Sequence, residues 1–380
     1  MDKLKIAFFC WESIYSEKIG GLSPGATYLA ETLAKDHEVH FFTRGRVEEK
    51  EIKGVKYHYC WPSANNIVDY CKNMSDQMVE RFRQYDSPPF DILHFHDWHV
   101  VEAMHQLQDR NTVFTYHSTE FGRIGGRFGD WWESKEIAGK EWYGALIAKR
   151  CTAVSQTLKN EVMWLYKAPD EKVDVVNNGI FPEAYDAMID AGEVKKSYGI
   201  HPLAPLVFFI GRMEYQKGPD MLVDAIPRVV ENKWSAQFIM AGEGSMKHQL
   251  EEQAHNMNLP VRFLGYIPDS EYIRFLHASD VVVIPSRNEP FGLVLLEAWS
   301  AKRPVVACDV GGLSENIDNF VNGVKVHQNP ESIAWGINYI LNGVNGVAGY
   351  GWNGRKKVDR LFRWEVSARK MMDVYKKVLP

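Results

Sequence analysis

Arg212 and Lys217 stand five residues apart in GRMEYQKG, directly after the apolar run LVFFI. Two cations at a strand end can clamp a diphosphate. Charge-assisted hydrogen bonds of this kind contribute roughly 1.5–3 kcal/mol each, and more where negative charge grows during a reaction. Either residue alone reads as an ordinary solvated side chain, but a second stretch changes that. In IPSRNEPFGLVLLEAWSA the apolar run VVVIPS enters a polar turn ending with Pro290 and Gly292, and an amphipathic helix begins there. A helix start presents backbone N–H groups at the positive end of the helix dipole, which suits phosphate oxygens. Glu297 lies one to two turns inside, its side chain leaning back toward the helix start. A carboxylate repels phosphate but accepts hydrogen bonds from paired ribose hydroxyls. Glu289, in the turn itself, suits the hydroxyls of a second sugar.

The stretch HFHDWH places three histidines and an aspartate within His94–His99. A hydrolase metal motif His-x-His-x-Asp-His has its aspartate two positions after the second histidine. Here Asp97 follows at once and Trp98 takes the ligand position, so the spacing does not fit. On a buried strand over 91–96, His94 and His96 share one face while Phe95 and Asp97 point the other way. Two readings remain: structural histidines, or a polar site at the strand end with Asp97 as its useful member. His117, ending VFTYH, adds a second strand-end histidine to the latter.

These residues need elements to hold them. KIAFFCW, HEVHFFTR, VKYHYC, DILHFH, TVFTYH, CTAVS and VDVVNNG alternate with longer amphipathic segments, the pattern of a parallel α/β sheet. The pattern restarts with LVFFIGR, AQFIMAGEG, VRFLGY, DVVVIPS and PVVACDV. Between them, residues 181–204 lack a clear strand and hold Pro182, Gly192, Gly199 and Pro202, with Pro205 at their edge, so a linker is placed over 186–204, between lobes at 1–185 and 205–380. Two doubly wound lobes facing a central cleft are expected, with the last helix, near WEVSARKMMDVYKKV, packing on either. In open parallel sheets ligands sit at the carboxyl ends of strands.

Bulk properties agree with this plan. A chain of 380 residues exceeds one core and suits two domains of roughly 150–200 residues. With 45% apolar and 24% charged residues the chain is globular, and a net charge of −5 argues against broad nucleic-acid binding. Five cysteines, at 10, 60, 71, 151 and 308, form no CxxC pair. Free thiols in a reducing cytoplasm are expected. MDKLKIAFFCWESIY has too short an apolar run for a signal peptide, and no run near ~18 apolar residues follows, so a soluble protein is expected.

Taken in order, KIGGL, HFHDWH, FTYHS, AVSQ, NNGI, GRMEYQKG, AGEG, RNEPFGLVLLE and DVGGL resemble the retaining GT-B glycosyltransferases, the group that contains glycogen and starch synthases. The similarity spans nearly the whole chain. It implies that Arg212 and Lys217 bind the donor's diphosphate, that Glu297 binds the nucleotide ribose, and that Glu289 holds hydroxyls of the donor sugar. Lys18, Gly20, Gly21, Gly292, Leu293 and Tyr266 would complete the nucleotide-sugar site. The glycines let the first loop's backbone approach phosphate or sugar. His117 would lie beside the donor sugar, and Asp97 near the acceptor or donor sugar. The cluster thus reads as a sugar site, with no metal and no further cofactor required.

The resemblance implies front-face transfer, the departing phosphate oxygen taking the acceptor's proton. A carboxylate nucleophile, Glu289 or Asp97, is the alternative by analogy with retaining hydrolases. KIGGL and HDWH point to glucose passed from ADP- or UDP-glucose to an α-glucan. SPGA after KIGGL, and HSTEFGR around His117, depart from glucan synthases and keep small-sugar, sugar-phosphate and lipid-linked acceptors open. An epimerase or a non-catalytic sugar-binding protein are the readings from other classes. Trp131 or Trp132 would serve as an acceptor platform or pack within the lobe, and a helix over 136–150 with Lys140, Lys149 and Arg150 could touch a membrane.

Overall fold

The computed structural model describes residues 3–17, 20–46 and 49–380, so Lys18 lies outside the described residues. The chain forms two compact units, Met1–Gly179 with Trp364–Pro380, and Ile180–Arg363.

The first unit is built on one sheet of strands β1 (Lys5–Phe9), β2 (Glu38–Arg44), β3 (Lys50–Ile52), β4 (Val55–Cys60), β5 (Ile92–His96), β6 (Thr112–Tyr116), β7 (Arg150–Ala153) and β8 (Val173–Val175). Their order is β3-β4-β2-β1-β5-β6-β7-β8, parallel throughout except for β3, an antiparallel edge strand that the sequence reading did not include. Strands covered by helices on both faces carry uninterrupted apolar runs, and here the central rings stack across strands, Phe9 on Phe42 at 5.1 Å and on Phe95 at 4.5 Å. Chain direction across the sheet reverses between β1 and β5, where HFHDWH emerges. The final helix, Trp364–Lys376, belongs to this unit: Tyr375 is fully buried, and its hydroxyl meets His94 Nδ1 at 2.8 Å.

The second unit carries β9 (Leu206–Ile210), β10 (Gln237–Ala241), β11 (Val261–Gly265), β12 (Val281–Ile284), β13 (Val305–Cys308) and β14 (Val324–Val326), all parallel in the order β11-β10-β9-β12-β13-β14. Its reversal falls between β9 and β12, the strands that precede Arg212 and Glu289. Residues 186–204, read from sequence as a linker, are part of this unit. Asp190 caps a helix over Ala191–Ser197, and Lys195 is buried against Ala204 O at 2.8 Å and Asp280 Oδ2 at 3.0 Å. Among the described residues no helix is long and apolar enough to cross a membrane.

Candidate active site

In the second unit, the strand LVFFI is buried along nearly its whole length and delivers Arg212 to its carboxyl end. Arg212 Nη2 donates to Gln216 Oε1 at 3.0 Å, which keeps the exposed guanidinium over the loop. A short turn, Tyr215–Lys217, follows and ends at Gly218, whose φ of 64° is left-handed. A Cβ there would lie 2.1 Å from Pro285 O, so no other residue fits. This close approach brings the turn against the loop after β12. Lys217 Nζ reaches Glu289 Oε2 at 2.7 Å, and Ser286 Oγ donates to the same oxygen at 3.1 Å. The Glu289 loop is held further by Arg287, which grips Asp220 with two bonds of 2.8 and 2.6 Å and stacks on Tyr215. Gly312 N donates to Glu289 O at 2.8 Å.

The helix Leu293–Ser300 starts at Gly292, where φ is 97°, and no side chain caps its first turn among the described residues. Its early N–H groups, including that of Leu293, are therefore available to a ligand oxygen. Glu297 accepts from Tyr272 Oη at 2.7 Å and Tyr185 Oη at 3.3 Å, contacts with residues 25 and 112 positions away that no sequence spacing signals. Tyr266 follows β11 directly and is 75% exposed, leaving its ring open to stacking.

In the first unit, HFHDWH divides by function. His94 is fully buried between Tyr375 and Thr115, its Nε2 meeting Thr115 Oγ1 at 2.6 Å, which is a structural role. His96 Nδ1 meets His117 Nε2 at 2.9 Å, one ring donating and the other accepting. Burial pushes His94 and His117 down to about 3 and lowers His96 and His99 as well, so these imidazoles are neutral near pH 7. Asp97 adopts φ 58°, uncommon outside glycine, and this turns its carboxyl to accept from His117 N at 2.7 Å. Burial raises Asp97 to about 7, against the opposing pull of Arg123 and the His117 N–H.

Gly20 and Gly21 do not need to be glycine for conformational reasons within the described residues. Gly21 has φ −70°, and a Cβ on Gly20 would meet nothing within 4 Å. Gly25 is the glycine packed on His117: a Cβ there would come within 3.2 Å of His117 Cε1 and 3.3 Å of Asn178 Oδ1. Trp131 and Trp132 are half-exposed, as a platform requires. The adjoining helix runs over Trp132–Ile147, so Lys149 and Arg150 lie beyond its end; Lys140 and Arg150 pair with Glu102 and Asp174, and Lys149 donates to Asn111 at 2.8 Å.

The second unit thus presents two cations and a helix start without a side-chain cap at its strand reversal, an arrangement suited to an anionic ligand. Residues 190–357 match the model for glycosyl transferases group 1 and residues 19–184 that for glycosyltransferase family 4. An uncharacterized glycosyltransferase of Methanocaldococcus jannaschii is 34% identical over 387 residues, covering 98% of each chain. A glycogen synthase of Mycobacterium tuberculosis is 29% identical over 296 residues, covering 75% of this chain and 68% of that protein. Among solved structures, sucrose-phosphate synthase from Thermosynechococcus elongatus superposes with a TM-score of 0.80 at 21% identity, covering 99% of both chains. The catalytic domain of starch synthase IV from Arabidopsis thaliana, bound to ADP and acarbose, does so with 0.78 at 18% identity, again over 99% of both. The chain belongs to the family 4, group 1 glycosyltransferases and has their GT-B fold. It transfers a sugar from a nucleotide sugar.

Proposed function

We propose that the protein is a retaining hexosyltransferase that moves glucose from UDP- or ADP-glucose to an α-glucan end. The observation that carries this reading is the Lys217–Glu289 ion pair at the strand reversal, with Arg212 on the same loop. It sets a fixed cation where a diphosphate meets a carboxylate suited to sugar hydroxyls. Arg212, Lys217 and the N–H groups from Gly292 and Leu293 grip the diphosphate, Glu297 takes the ribose, and Tyr266 offers its exposed ring to the base. Glu289 holds donor-sugar hydroxyls and keeps Lys217 aimed.

Transfer breaks the bond from the anomeric carbon to the phosphate oxygen, and the electron pair leaves with the diphosphate. Arg212 and Lys217 act on the charge that grows there, where transition state and ground state differ most. The protein's own cations do the work a divalent metal would do. The new bond forms on the face the diphosphate leaves, and the acceptor's proton passes to the departing phosphate oxygen. On the first unit a neutral His117 beside the sugar adds no positive charge next to an electron-poor carbon, and Asp97, raised to about 7, accepts from a sugar hydroxyl in its ionised form.

Glucose is favoured by relatives named for α-glucan synthesis. A phosphorylated small acceptor is the second reading, favoured by the relatives named alpha-maltose-1-phosphate synthase and D-inositol 3-phosphate glycosyltransferase and by the HSTEFGR segment around His117. A panel of nucleotide sugars against glucan, sugar-phosphate and lipid acceptors, following nucleoside diphosphate release and product anomeric configuration by NMR, decides between them. Release from ADP- or UDP-glucose only with glucan, giving an α product, is expected. Release with no acceptor dependence, or an inverted product, contradicts the proposal.

A further inference from the structure

The segment that follows His117, STEFGR, sits in a lattice of charge in which Glu120 and Glu141 are buried and Arg123 is partly covered. Arg123 Nη1 donates to Ser118 Oγ at 2.6 Å, its Nε to Glu120 Oε2 at 3.2 Å and its Nη2 to Glu141 Oε1 at 2.5 Å. Glu141, on the helix Trp132–Ile147, is 1% exposed and accepts from Glu120 N at 2.8 Å and from Tyr166 Oη. Thr119 caps the short turn Glu120–Arg123 and donates to Glu161. Burying charge is costly unless it is paired, and here Arg123, Glu120, Glu141 and Glu161 each have a partner.

We infer that Arg123, clamped between Glu120 and Glu141, is a positioning residue for sugar transfer: it fixes the turn that carries His117 and Ser118 and sets the electric field at Asp97. This rests on the reading of Asp97 and His117 given above. Asp97 is faced by Cys10 from the end of β1, by Tyr116 and His117 at the end of β6, and by Arg123 and Glu141. Burial keeps Cys10, Tyr116 and His117 neutral near pH 7, so the cation and the carboxylate govern. Arg123 favours ionised Asp97, and Glu141 opposes it.

That opposition gives a signature a structural role would not produce. In the full-length enzyme, kcat/KM is measured against pH by nucleoside diphosphate release for wild type, R123M, R123K, E141Q and D97N, with thermal melts as a check on folding. R123M is expected to move the acid limb up by about 1 pH unit and to lower kcat about 10- to 100-fold through misplacement of His117. R123K should return the limb, because charge is restored. E141Q, nearly isosteric, should move the limb down by about 1 unit. Where D97N is impaired, limbs that stay in place in both R123M and E141Q, or move the same way, overturn the inference. If R123M does not fold, the downward shift in E141Q carries the test alone. A fully active D97N removes the reading of Asp97 itself and with it the field claim. The positioning claim is then decided by whether R123M loses kcat and R123K recovers it.

Discussion

The two units share an architecture and differ in how they treat charge. At the end of β9 and β12, the second unit displays permanent charge: an exposed Arg212, and a Lys217 whose side chain keeps 22% exposure while paired to Glu289. At the end of β5 and β6, the first unit suppresses charge: its histidines are pushed neutral, and Asp97 is raised to about 7. Under the proposed function, the difference follows from what each must meet. A diphosphate that gains negative charge is best met by cations already in place, whereas a carbon losing its leaving group is best flanked by groups that add no positive charge. Burial is the lever, because desolvation penalises the charged form of any group it covers.

The contrast is broken most severely by removing the displayed charge. Arg212→Ala or Lys217→Ala should raise the barrier by about 2.7–4 kcal/mol, a 10²- to 10³-fold loss in kcat, in enzyme that melts as wild type does. Steady-state assay of nucleoside diphosphate release checks this. Glu297→Ala should leave kcat far less affected and weaken nucleoside diphosphate binding by roughly 1.5–3 kcal/mol, as read by calorimetry.

The suppressed charge of the first unit is tested by pH. His94 and His117 fold at about 3 and His58 at about 4, below their ordinary value, so the unfolded chain binds more protons as pH falls below about 6.5, and stability is lost in that direction. Asp97, raised to about 7, binds its proton more readily when folded and works the other way between about 4 and 7. With His94, His96, His99, His117 and His58 lowered against Asp97, Glu141 and Glu161 raised, the histidines prevail and the melting temperature should fall by several degrees from pH 7 to pH 5. An unchanged or rising melting temperature would contradict the burial account. The smallest effect is Tyr272→Phe, which leaves Glu297 without its 2.7 Å donor and should weaken nucleotide binding by about 1 kcal/mol at most, measured by the same calorimetry.

The second unit was the more legible half of the sequence. LVFFI and VVVI are unbroken apolar runs because parallel strands are buried on both faces, and the residues just after such runs fall where ligands bind. That logic alone puts Arg212, Glu289 and Gly292 just after strand ends, where the structure has them. The partners that tune the site could not. His96 meets His117 across 21 residues, Glu141 reaches Arg123 from a separate helix, and Tyr185 touches Glu297 across 112. Each depends on packing between elements, which periodicity does not encode. The last helix illustrates the same limit: its place in the first unit is fixed by bonds such as that of Tyr375 to His94, 281 residues upstream. Residues 186–204 show the reverse case, in which Gly and Pro suggested a linker but Lys195 and Asp280 build a packed corner of the second unit.

The central claim is that Arg212 and Lys217 hold the departing diphosphate. A crystal structure of the enzyme with bound nucleotide sugar tests it most directly. The account predicts pyrophosphate oxygens within hydrogen-bonding distance of both the Arg212 guanidinium and the Lys217 ammonium. A pyrophosphate bound away from both side chains would contradict it.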